Sequence, residues 1–412
     1  MTCDPILEVD KVRVLIWSYS SFQRNYSSYH LYEGIILALL KRGHDVLLLQ
    51  KDFDGAPPTP PSLEKEAAFK CVSIPVFADK TAGLKARYFD DIAFTKKAFR
   101  KIKGLGHFDA ALVQSNNCAG FPLWMLKKMK IPAVYNEQDI FPENAIACGM
   151  LPRGLVARLA TFCTKLAYHL ATSVITVSED MRRTIEKLGC PSENVHVVYN
   201  WCRGDRDYTI ADENNKFLRG LEGADDCFRV VYAGNVGRMQ DVGVLIEAAS
   251  HLREEHIKIL VVGDGAEKAP LELRSKELSL NNVQFFQGLP EADAQDVYAA
   301  ADVNIITLKE GIIHTCLPSK TAACIYSRRP FIATVDPESS AAVIYRSVPY
   351  GRVVPPSDPL ALANAIKACA GSFGRRYQAA RHDQSEELFS WTNAFSYVGV
   401  IEKAAGSSGD SE

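Results

Sequence analysis

Three adjacent residues, Pro318, Ser319 and Lys320, have the types that a phosphate site needs. Proline and serine are frequent at the first positions of helices, so a helix is predicted to begin here. The free N–H groups of a helix start carry partial positive charge, and Lys320 adds a full charge at that point. Together these groups suit a phosphate. Taken alone, however, the three residues favour an ordinary capped helix with a solvated lysine.

The stretch AGNVGRMQDVG, residues 233–243, supplies a second cation. Gly234 and Gly237 let the backbone approach a ligand closely. The planar guanidinium of Arg238 can pair with a phosphate or a carboxylate. A glycine turn with a surface arginine explains the same residues equally well. If Arg238 and Lys320 lie on one rim beside these glycines, the rim forms a pocket for a diphosphate.

Two further glycines follow apolar runs in the second half of the chain. Gly263 opens GDGAEK, which begins like a dinucleotide-binding fingerprint but lacks the third glycine and the later acidic residue, so a tight turn is favoured. Gly288 and Leu289 end another apolar run. Exposed backbone groups at that point could contact the edge of a nucleotide base.

The acidic candidates lie in the first half, in NEQDIFPEN at residues 136–144. Glu137 and Asp139 follow an apolar run, and carboxylates there can orient sugar hydroxyls or transfer a proton. The alternative is a solvated loop in which Asp139 caps a helix. We favour the functional interpretation, because both residues are predicted to face a cleft.

The elements that must position these residues are apolar runs separated by helical patterns. In the first half the runs are residues 12–17, 44–50, 110–115, 131–138, 172–178 and 196–200. In the second half they are residues 228–234, 257–265, 283–288, 302–307, 329–334 and 352–356. Continuous apolar strands are typical of parallel sheets covered by helices on both faces. We therefore predict an α/β protein of two doubly wound, Rossmann-like parallel-sheet domains.

The predicted boundaries follow the polar segments. They are a first domain at 1–202, a charged linker at 203–226, a second domain at 227–385, a helix at 386–404 and a disordered tail at 405–412. Ligands of such sheets bind beyond the carboxyl ends of the strands, so the two domains are predicted to face one cleft. Ser18, directly after the first strand, is therefore a further candidate contact.

Composition excludes several classes of protein. The chain has 412 residues and a net charge of -2, so no overall positive field attracts nucleic acid. Its 11 cysteines have no metal-site or disulfide spacing, which favours a reducing cytoplasm. The beginning of the sequence is not that of a signal peptide, and no apolar run is long enough to span a bilayer.

Asp-x-Asp, a motif that can bind a metal ion, occurs at 52–54 and 205–207. We interpret both occurrences as loop charges rather than a metal site.

In their order and spacing, four segments resemble the donor domain of family 4 glycosyltransferases, which have the GT-B fold. The segments are AGNVGRMQDVGVLIEAA, VVGDGAE, FQGLPEADAQDVYAAADVNIITL and LPSKTAACIYSRRPFIATVDPESS. The first-half segments NEQDIFPENAIACGML, SVITVSEDMRRTIEKLG and VVYNW resemble the bacterial branch that builds O-antigen, capsule and exopolysaccharide. Transferases of N-acetyl-fucosamine type sugars belong to that branch. The resemblance extends from Val12 to about Tyr397.

The resemblance implies a nucleotide-diphosphate sugar donor, most often a UDP-sugar, a retaining transfer, and neither a metal nor a cofactor. It gives catalytic roles to Asp139, Arg238 and Lys320. The donor-binding residues that it implies are Gly234, Asn235, Gly237, Gln240, Gly263, Gly288, Leu289, His314, Pro318 and Ser319. Gln240 stands where the family usually has a lysine. Sugar or acceptor contacts are expected from Ser18, Glu137 and Glu310, and the helix at 386–404 is expected to cross back to the first domain.

Besides Gln240, the sequence departs from the family at two further positions. The family has two glutamates separated by seven residues, and these positions are Thr315 and Ala323 here. The second glutamate usually holds the ribose hydroxyls, and it is often missing from this branch. We expect His314 or Glu310 to make part of the sugar contact instead.

The sequence leaves the acceptor and the membrane contact open. The resemblance implies a glycan or lipid-linked acceptor and a cytoplasmic protein, with a peripheral contact to the inner face of the membrane as one alternative. The basic stretches 85–104 and 151–171 are candidates for that contact. For 151–171 we favour a helix with a solvated polar face and an apolar stripe that packs on the core, and for 85–104 both alternatives stay open. The rival functions are a nucleotide-sugar epimerase, a non-catalytic binding subunit and, last, a nicotinamide dehydrogenase.

Overall fold

The computed structural model describes residues 10–22, 29–52, 59–76, 84–116, 118–202, 208–221, 226–289, 293–379 and 384–406. These residues form two sheets in which all strand pairs are parallel. Each sheet has an apolar cluster on both of its faces. The predicted α/β architecture of two doubly wound domains is confirmed.

The first sheet has the strand order β3-β2-β1-β4-β5-β6-β7. Its strands are β1 (Arg13–Trp17), β2 (Asp45–Asp52), β3 (Phe69–Pro75), β4 (Ala110–Gln114), β5 (Ala133–Glu137), β6 (Ser173–Thr176) and β7 (Val195–Val197). Its helices are α1 (Tyr29–Lys41), α2 (Leu84–Ile102), α3 (Gly120–Lys128), α4 (Glu143–Ala147), α5 (Leu155–Leu170) and α6 (Glu179–Lys187). The strand order reverses direction between β1 and β4, where loops of such sheets leave a crevice.

The second sheet has the order β10-β9-β8-β11-β12-β13. In chain order, α7 (Lys216–Arg219) comes between the strands of the two sheets. The strands are β8 (Phe228–Ala233), β9 (Ile257–Val262), β10 (Val283–Phe286), β11 (Val303–Thr307), β12 (Phe331–Thr334) and β13 (Gly351–Val354). The helices are α8 (Gly243–Ala249), α9 (Lys268–Glu277), α10 (Ala294–Ala300), α11 (Lys320–Tyr326), α12 (Ser340–Ser347), α13 (Pro359–Phe373), α14 (Gln384–Leu388) and α15 (Asn393–Gly406). The reversal here lies between β8 and β11.

Strand β3 has no counterpart in the sequence prediction. It pairs with β2 alone, at the edge of the first sheet. Phe69 and Ile74 are buried, but Lys70 and Pro75 are exposed. An edge strand packs less of its surface, so its sequence lacks the continuous apolar run that identified the central strands.

The polar segment between the sheets is attached to the second domain where the structure describes it. Asn215 donates a hydrogen bond to the carbonyl of Asp296 (2.7 Å). Asp212 accepts from Arg229 at 2.9 Å and from Arg329 at 3.3 Å. Residues 203–207 and 222–225 lie outside the described residues. Residues 208–221 are therefore held against the second domain by these hydrogen bonds.

The last helix packs on the first domain. Tyr397, Val398 and Ile401 of α15 are buried in the same apolar cluster as Val14 and Ile16 of β1. The hydroxyl of Tyr397 also makes a hydrogen bond of 3.1 Å with Asn136. Residues 405 and 406 of the predicted tail end this helix, and 407–412 lie outside the described residues. The chain thus crosses twice between the domains.

Candidate active site

Backbone contacts between two glycine turns form the floor of the site in the second domain. The turns follow β8 and β9, and a Cβ on Gly263 would lie 1.8 Å from the carbonyl oxygen of Gly234. The φ angles of Gly234 (+127°) and Gly263 (+157°) also disfavour side chains. These two glycines are required for the close packing of the loops at the carboxyl ends of β8 and β9.

Lys320 begins α11, and its side chain lies against the first of these turns. A Cβ on Gly234 would be 3.4 Å from both Cε and Nζ of Lys320. The Nζ atom lies 3.5 Å from the ring centroid of Tyr232 and has no hydrogen-bond partner among the described residues. Burial lowers the pKa of Lys320 to about 7. A buried amine without a partner is costly, and an anion placed beside Gly234 would remove that cost.

Two residues next to Lys320 were predicted as donor contacts. Helix α11 begins at Lys320, as the preceding Pro318 and Ser319 indicate. The side chain of Ser319 makes no capping hydrogen bond, whereas the carbonyl of Pro318 accepts from the N–H of Thr321 (3.0 Å). Ser319 is exposed, so its hydroxyl is accessible from solvent.

Arg238 lies on the same turn as Gly234 but has a protein partner. Its Nε donates to Glu267 at 3.2 Å, and more than half of the side chain is exposed. Gln240, at the family's lysine position, accepts from the side chain of Asn235 at 3.4 Å. A Cβ on Gly237 would lie 2.8 Å from both of these side chains. The turn after β8 is therefore an ordered, polar loop at the rim.

The sequence analysis missed a polar group beside Gly288. The N–H of Gly288 donates to Asp264 at 2.7 Å, and Lys268 donates to the same carboxylate at 3.0 Å. Leu289 follows and is 40% exposed. Asp264 lies within GDGAEK, for which the sequence predicts only a tight turn. The structure brings the loops after β9 and β10 together through it.

The acidic candidates of the first domain lie in a cavity of about 450 Å³. Its polar side includes Ser115, Asn116, Glu137 and Asp139, and its apolar side includes Val156 and Leu159 of α5. Glu137 is buried and accepts a hydrogen bond from the hydroxyl of Tyr168 (3.0 Å). Burial raises the pKa of Glu137 to about 8, with Asp139 adding to the increase.

Asp139 stands where this cavity meets the second domain. Its backbone forms an antiparallel bridge with Cys316, and the N–H of Ile140 donates to the carbonyl of Thr315 (2.9 Å). Surrounding protein atoms raise the pKa of Asp139 to about 6, although part of the residue stays exposed to solvent. The structure thus places Asp139 next to the segment that leads into Lys320.

The remaining sugar candidates differ in their surroundings. His314 is about half exposed, with Nε2 at 3.4 Å from Asp336 and Nδ1 at 3.9 Å from Asp180. Glu310 is exposed. Ser18 is buried, and its hydroxyl donates to Gln114 at 2.9 Å. Of the three, His314 and Glu310 have accessible side chains in the loop between β11 and α11.

No group of three or more His, Cys, Asp or Glu residues that could hold a metal ion occurs in the described part of the chain. Asp54, Asp205 and Asp207 of the two Asp-x-Asp motifs lie outside that part.

Comparison with known proteins identifies the family. The profile described as "Glycosyl transferase 4-like domain" matches residues 32–201, and the one described as "Glycosyl transferases group 1" matches residues 227–371. The chain belongs to the family 4 glycosyltransferases. The resemblance that its motifs showed is therefore confirmed, and the two-domain architecture is the GT-B fold.

Two curated relatives come from bacteria. Probable glycosyltransferase WbjE of Pseudomonas aeruginosa is 27% identical over 231 residues, 55% of this chain and 57% of that protein. Putative colanic acid biosynthesis glycosyl transferase WcaI of Escherichia coli (strain K12) is 34% identical over 192 residues, 45% and 47% of the two chains. This family 4 chain thus matches about half the length of each.

A solved structure shares the whole architecture. The Anabaena protein Alr3699/HepE, crystallised with UDP and glucose, matches 97% of this chain and 100% of its own, with a TM-score of 0.67 and 17% identity. At that identity the likeness concerns the fold.

Proposed function

We propose that this family 4 protein transfers a sugar from a nucleotide-diphosphate donor, a UDP-sugar by preference, to a hydroxyl group of a glycan or a lipid-linked acceptor. The observation that carries the proposal is the buried ammonium of Lys320, which lacks a partner among the described residues and lies against Gly234. A diphosphate is the anion that such a donor would bring to this point. The HepE crystal structure, which contains UDP and glucose, supports the choice of base.

The proposed reaction retains the anomeric configuration and uses no metal. The acceptor hydroxyl attacks the anomeric carbon on the face that the diphosphate leaves, and its proton passes to the departing phosphate oxygen. Negative charge then develops on the diphosphate, where Lys320 stabilises it and Arg238 can exchange Glu267 for phosphate. Asp139, whose backbone bridges to Cys316 of the second domain, orients the acceptor or the donor sugar. No side chain acts as a nucleophile.

The test is acceptor-dependent release of nucleoside diphosphate. UDP-, GDP-, ADP- and TDP-sugars are offered to the purified protein with and without glycan and lipid-linked acceptors, after a thermal-shift screen with the diphosphates has selected the base. We expect one series to raise the melting temperature and its sugar to be consumed only with an acceptor. A change of configuration within the donor sugar, without any acceptor, would show an epimerase instead. Absence of a shift with every nucleotide would favour a non-catalytic subunit.

The membrane contact has a specific candidate surface, which we name the apolar face. It consists of exposed large apolar residues of α3 and α5: Phe121, Trp124, Leu155, Val156, Leu159, Phe162 and Leu166. In α5 only Ala157, Ala167 and Tyr168 are buried. The expectation that the apolar residues of 151–171 form a core stripe is therefore wrong for most of them. Helix α2, in the other basic stretch, exposes Tyr88 and Phe89 as well.

We propose that the apolar face lies on an anionic bilayer. Residues 118–128 and 149–170 contain no Asp or Glu, but they contain Lys127, Lys128, Arg153, Arg158 and Lys165. Cations around an exposed apolar face complement anionic head groups while the apolar side chains enter the interface. Because Val156 and Leu159 also line the cavity with Glu137 and Asp139, a lipid-linked acceptor could reach the cavity from this side. No helix in the described part of the chain has the length and apolar character to cross a membrane.

Flotation with vesicles tests this surface. We expect wild-type protein to float with phosphatidylcholine vesicles that contain phosphatidylglycerol, and to float less without it. Leu155→Ser, on the apolar face, should reduce flotation several-fold, because Leu155 is 84% exposed and would enter the interface. The matched control is Leu273→Ser on α9, where Leu273 is 59% exposed, and it should float like wild type. A wild-type protein that stays in the soluble fraction, or a dimer that Leu155→Ser dissociates, would contradict the proposal.

A further inference from the structure

A carboxylate of the first domain caps a helix of the second. Asp180, near the start of α6, accepts the N–H of Ser340 (2.9 Å) with one oxygen and the N–H of Ala341 (3.0 Å) with the other. Ser340 and Ala341 are the first two residues of α12. The chain between the partners is 160 residues long. This contact is therefore tertiary and crosses from one domain to the other.

The cap is complete only when both domains contribute. The third N–H of α12, from Ala342, is satisfied within the second domain by the side chain of Ser339 (3.1 Å). The side chain of Asp180 is 0% exposed, and its nearest side-chain cation, Arg183, is 3.8 Å away. If the domains separate, the helix start loses its charged acceptor and the carboxylate must be hydrated again. The contact thus stabilises the closed arrangement specifically.

The capped helix is connected to the residues of the proposed site. Tyr345 of α12 makes a hydrogen bond of 2.8 Å with Thr321, the residue after Lys320. On the other side of the contact, His314 lies 3.9 Å from Asp180 and 3.4 Å from Asp336. The hydrogen bond of Tyr345 ties the position of α12 to the start of α11, and His314 lies beside Asp180 on the other side of the contact.

We infer that Asp180 is an inter-domain latch, which favours the closed form of the protein and so positions Lys320 and His314 of the second domain relative to Asp139 of the first. It is a positioning residue, since it acts through α12. Two states, open and closed, exchange in the free protein, and the latch shifts their populations. Replacing Asp180 by asparagine removes the negative charge and one of the two acceptor oxygens. This change should lower the closed-to-open ratio roughly tenfold.

Small-angle X-ray scattering of the ligand-free protein tests the latch. Asp180→Asn keeps the size of the side chain and is expected to increase the radius of gyration. The matched control is Glu179→Gln, one residue earlier, whose carboxylate lies 4.0 Å from Arg182. It should scatter like wild type. Because no substrate is present, the result is independent of the proposed reaction.

A second variant approaches the contact from the other domain. Ser340→Pro removes one of the two N–H groups that Asp180 accepts, at the first helical position after the capping Ser339, where proline is favoured. It should expand the protein as Asp180→Asn does, and the double variant should expand it no further. A radius of gyration unchanged in both single variants would overturn the inference. So would additive expansion in the double variant, or a lower melting temperature with unchanged scattering.

Discussion

Replacing Lys320 by methionine is expected to weaken donor binding strongly and yet to raise the melting temperature. Burial lowers the pKa of the lysine from 10.5 to about 7, which corresponds to about 5 kcal/mol against the charged form. Methionine occupies similar space without that cost, so the melting temperature should rise by several degrees at pH 6. Affinity for UDP and turnover should each fall about a hundredfold or more, because the diphosphate loses its buried cation.

Lys276→Met is the matched control, since Lys276 is exposed and lies in the last turn of α9, at the end of the helix away from the Gly263 turn. Calorimetry with UDP and thermal unfolding should show wild-type values for it. Unchanged UDP affinity in Lys320→Met would contradict the donor pocket. A lower melting temperature in that variant would show that the amine is stabilised by contacts other than those described.

The pH dependence of the wild type follows from the same shift. Between pH 7 and 10.5 the unfolded chain holds more protons at this site than the folded protein does. The contribution of Lys320 to the free energy of unfolding therefore rises with pH across that window. UDP affinity should change in the opposite direction and fall above pH 7, because binding requires the charged amine. Lys320→Met should show neither effect at this site.

The strands were predictable from sequence because their environment is uniform. Central parallel strands are covered on both faces, so β1, β4 and β8 are apolar at nearly every position and can be recognised without knowledge of their neighbours. The edge strand β3 was missed because only part of it is buried. Motif order then identified the family.

The environment of the site residues was much less predictable. The sequence predicted that Lys320 contacts a phosphate, but it contains no sign that the amine is buried against Tyr232. Arg238 was expected on the same rim, and the structure adds its pairing with Glu267, which a donor would have to replace. The roles of both residues in catalysis stay predictions. Burial and pairing depend on which loops meet, and no local pattern encodes that.

Asp180 shows this limit most clearly. Locally, SEDM has the signature of a helix start, with Ser178 capping the N–H of Met181 at 3.1 Å and acidic residues in the first turn. That explanation accounts for an aspartate without any long-range role. Only the fold places its carboxylate on α12 of the other domain.

A large effect is also expected at the two carboxyl groups in the cavity of the first domain, where two isosteric substitutions should differ sharply. Asp139→Asn should lower kcat by about a hundredfold, because the ionised oxygen that orients a hydroxyl group is lost. It should also remove the decline of activity below pH 6, where the wild-type carboxylate becomes protonated. Glu137→Gln should leave kcat at pH 7 within a few-fold of wild type, because Glu137 is itself protonated there.

The pH dependence of the free energy of unfolding gives a second test of the protonation of Glu137. Between its usual pKa of 4.5 and about 8 in the folded protein, the folded state holds a proton that the unfolded chain has lost. The contribution of Glu137 to the free energy of unfolding therefore falls as pH rises through that window. Glu137→Gln cannot titrate, so it should be more stable than wild type at pH 8 and equally stable at pH 4. Chemical denaturation at the two pH values measures this difference.

Activity and the midpoint of unfolding, measured on the same variants, together distinguish a functional role of a carboxyl group from a structural one. If Asp139→Asn loses activity while its unfolding midpoint stays near that of wild type, the carboxylate acts on the substrate. Equal losses of activity in both variants at pH 7 would mean that Glu137 is ionised in the working enzyme, since glutamine would then replace a charge rather than a neutral acid. Both carboxylates would in that case act on the substrate.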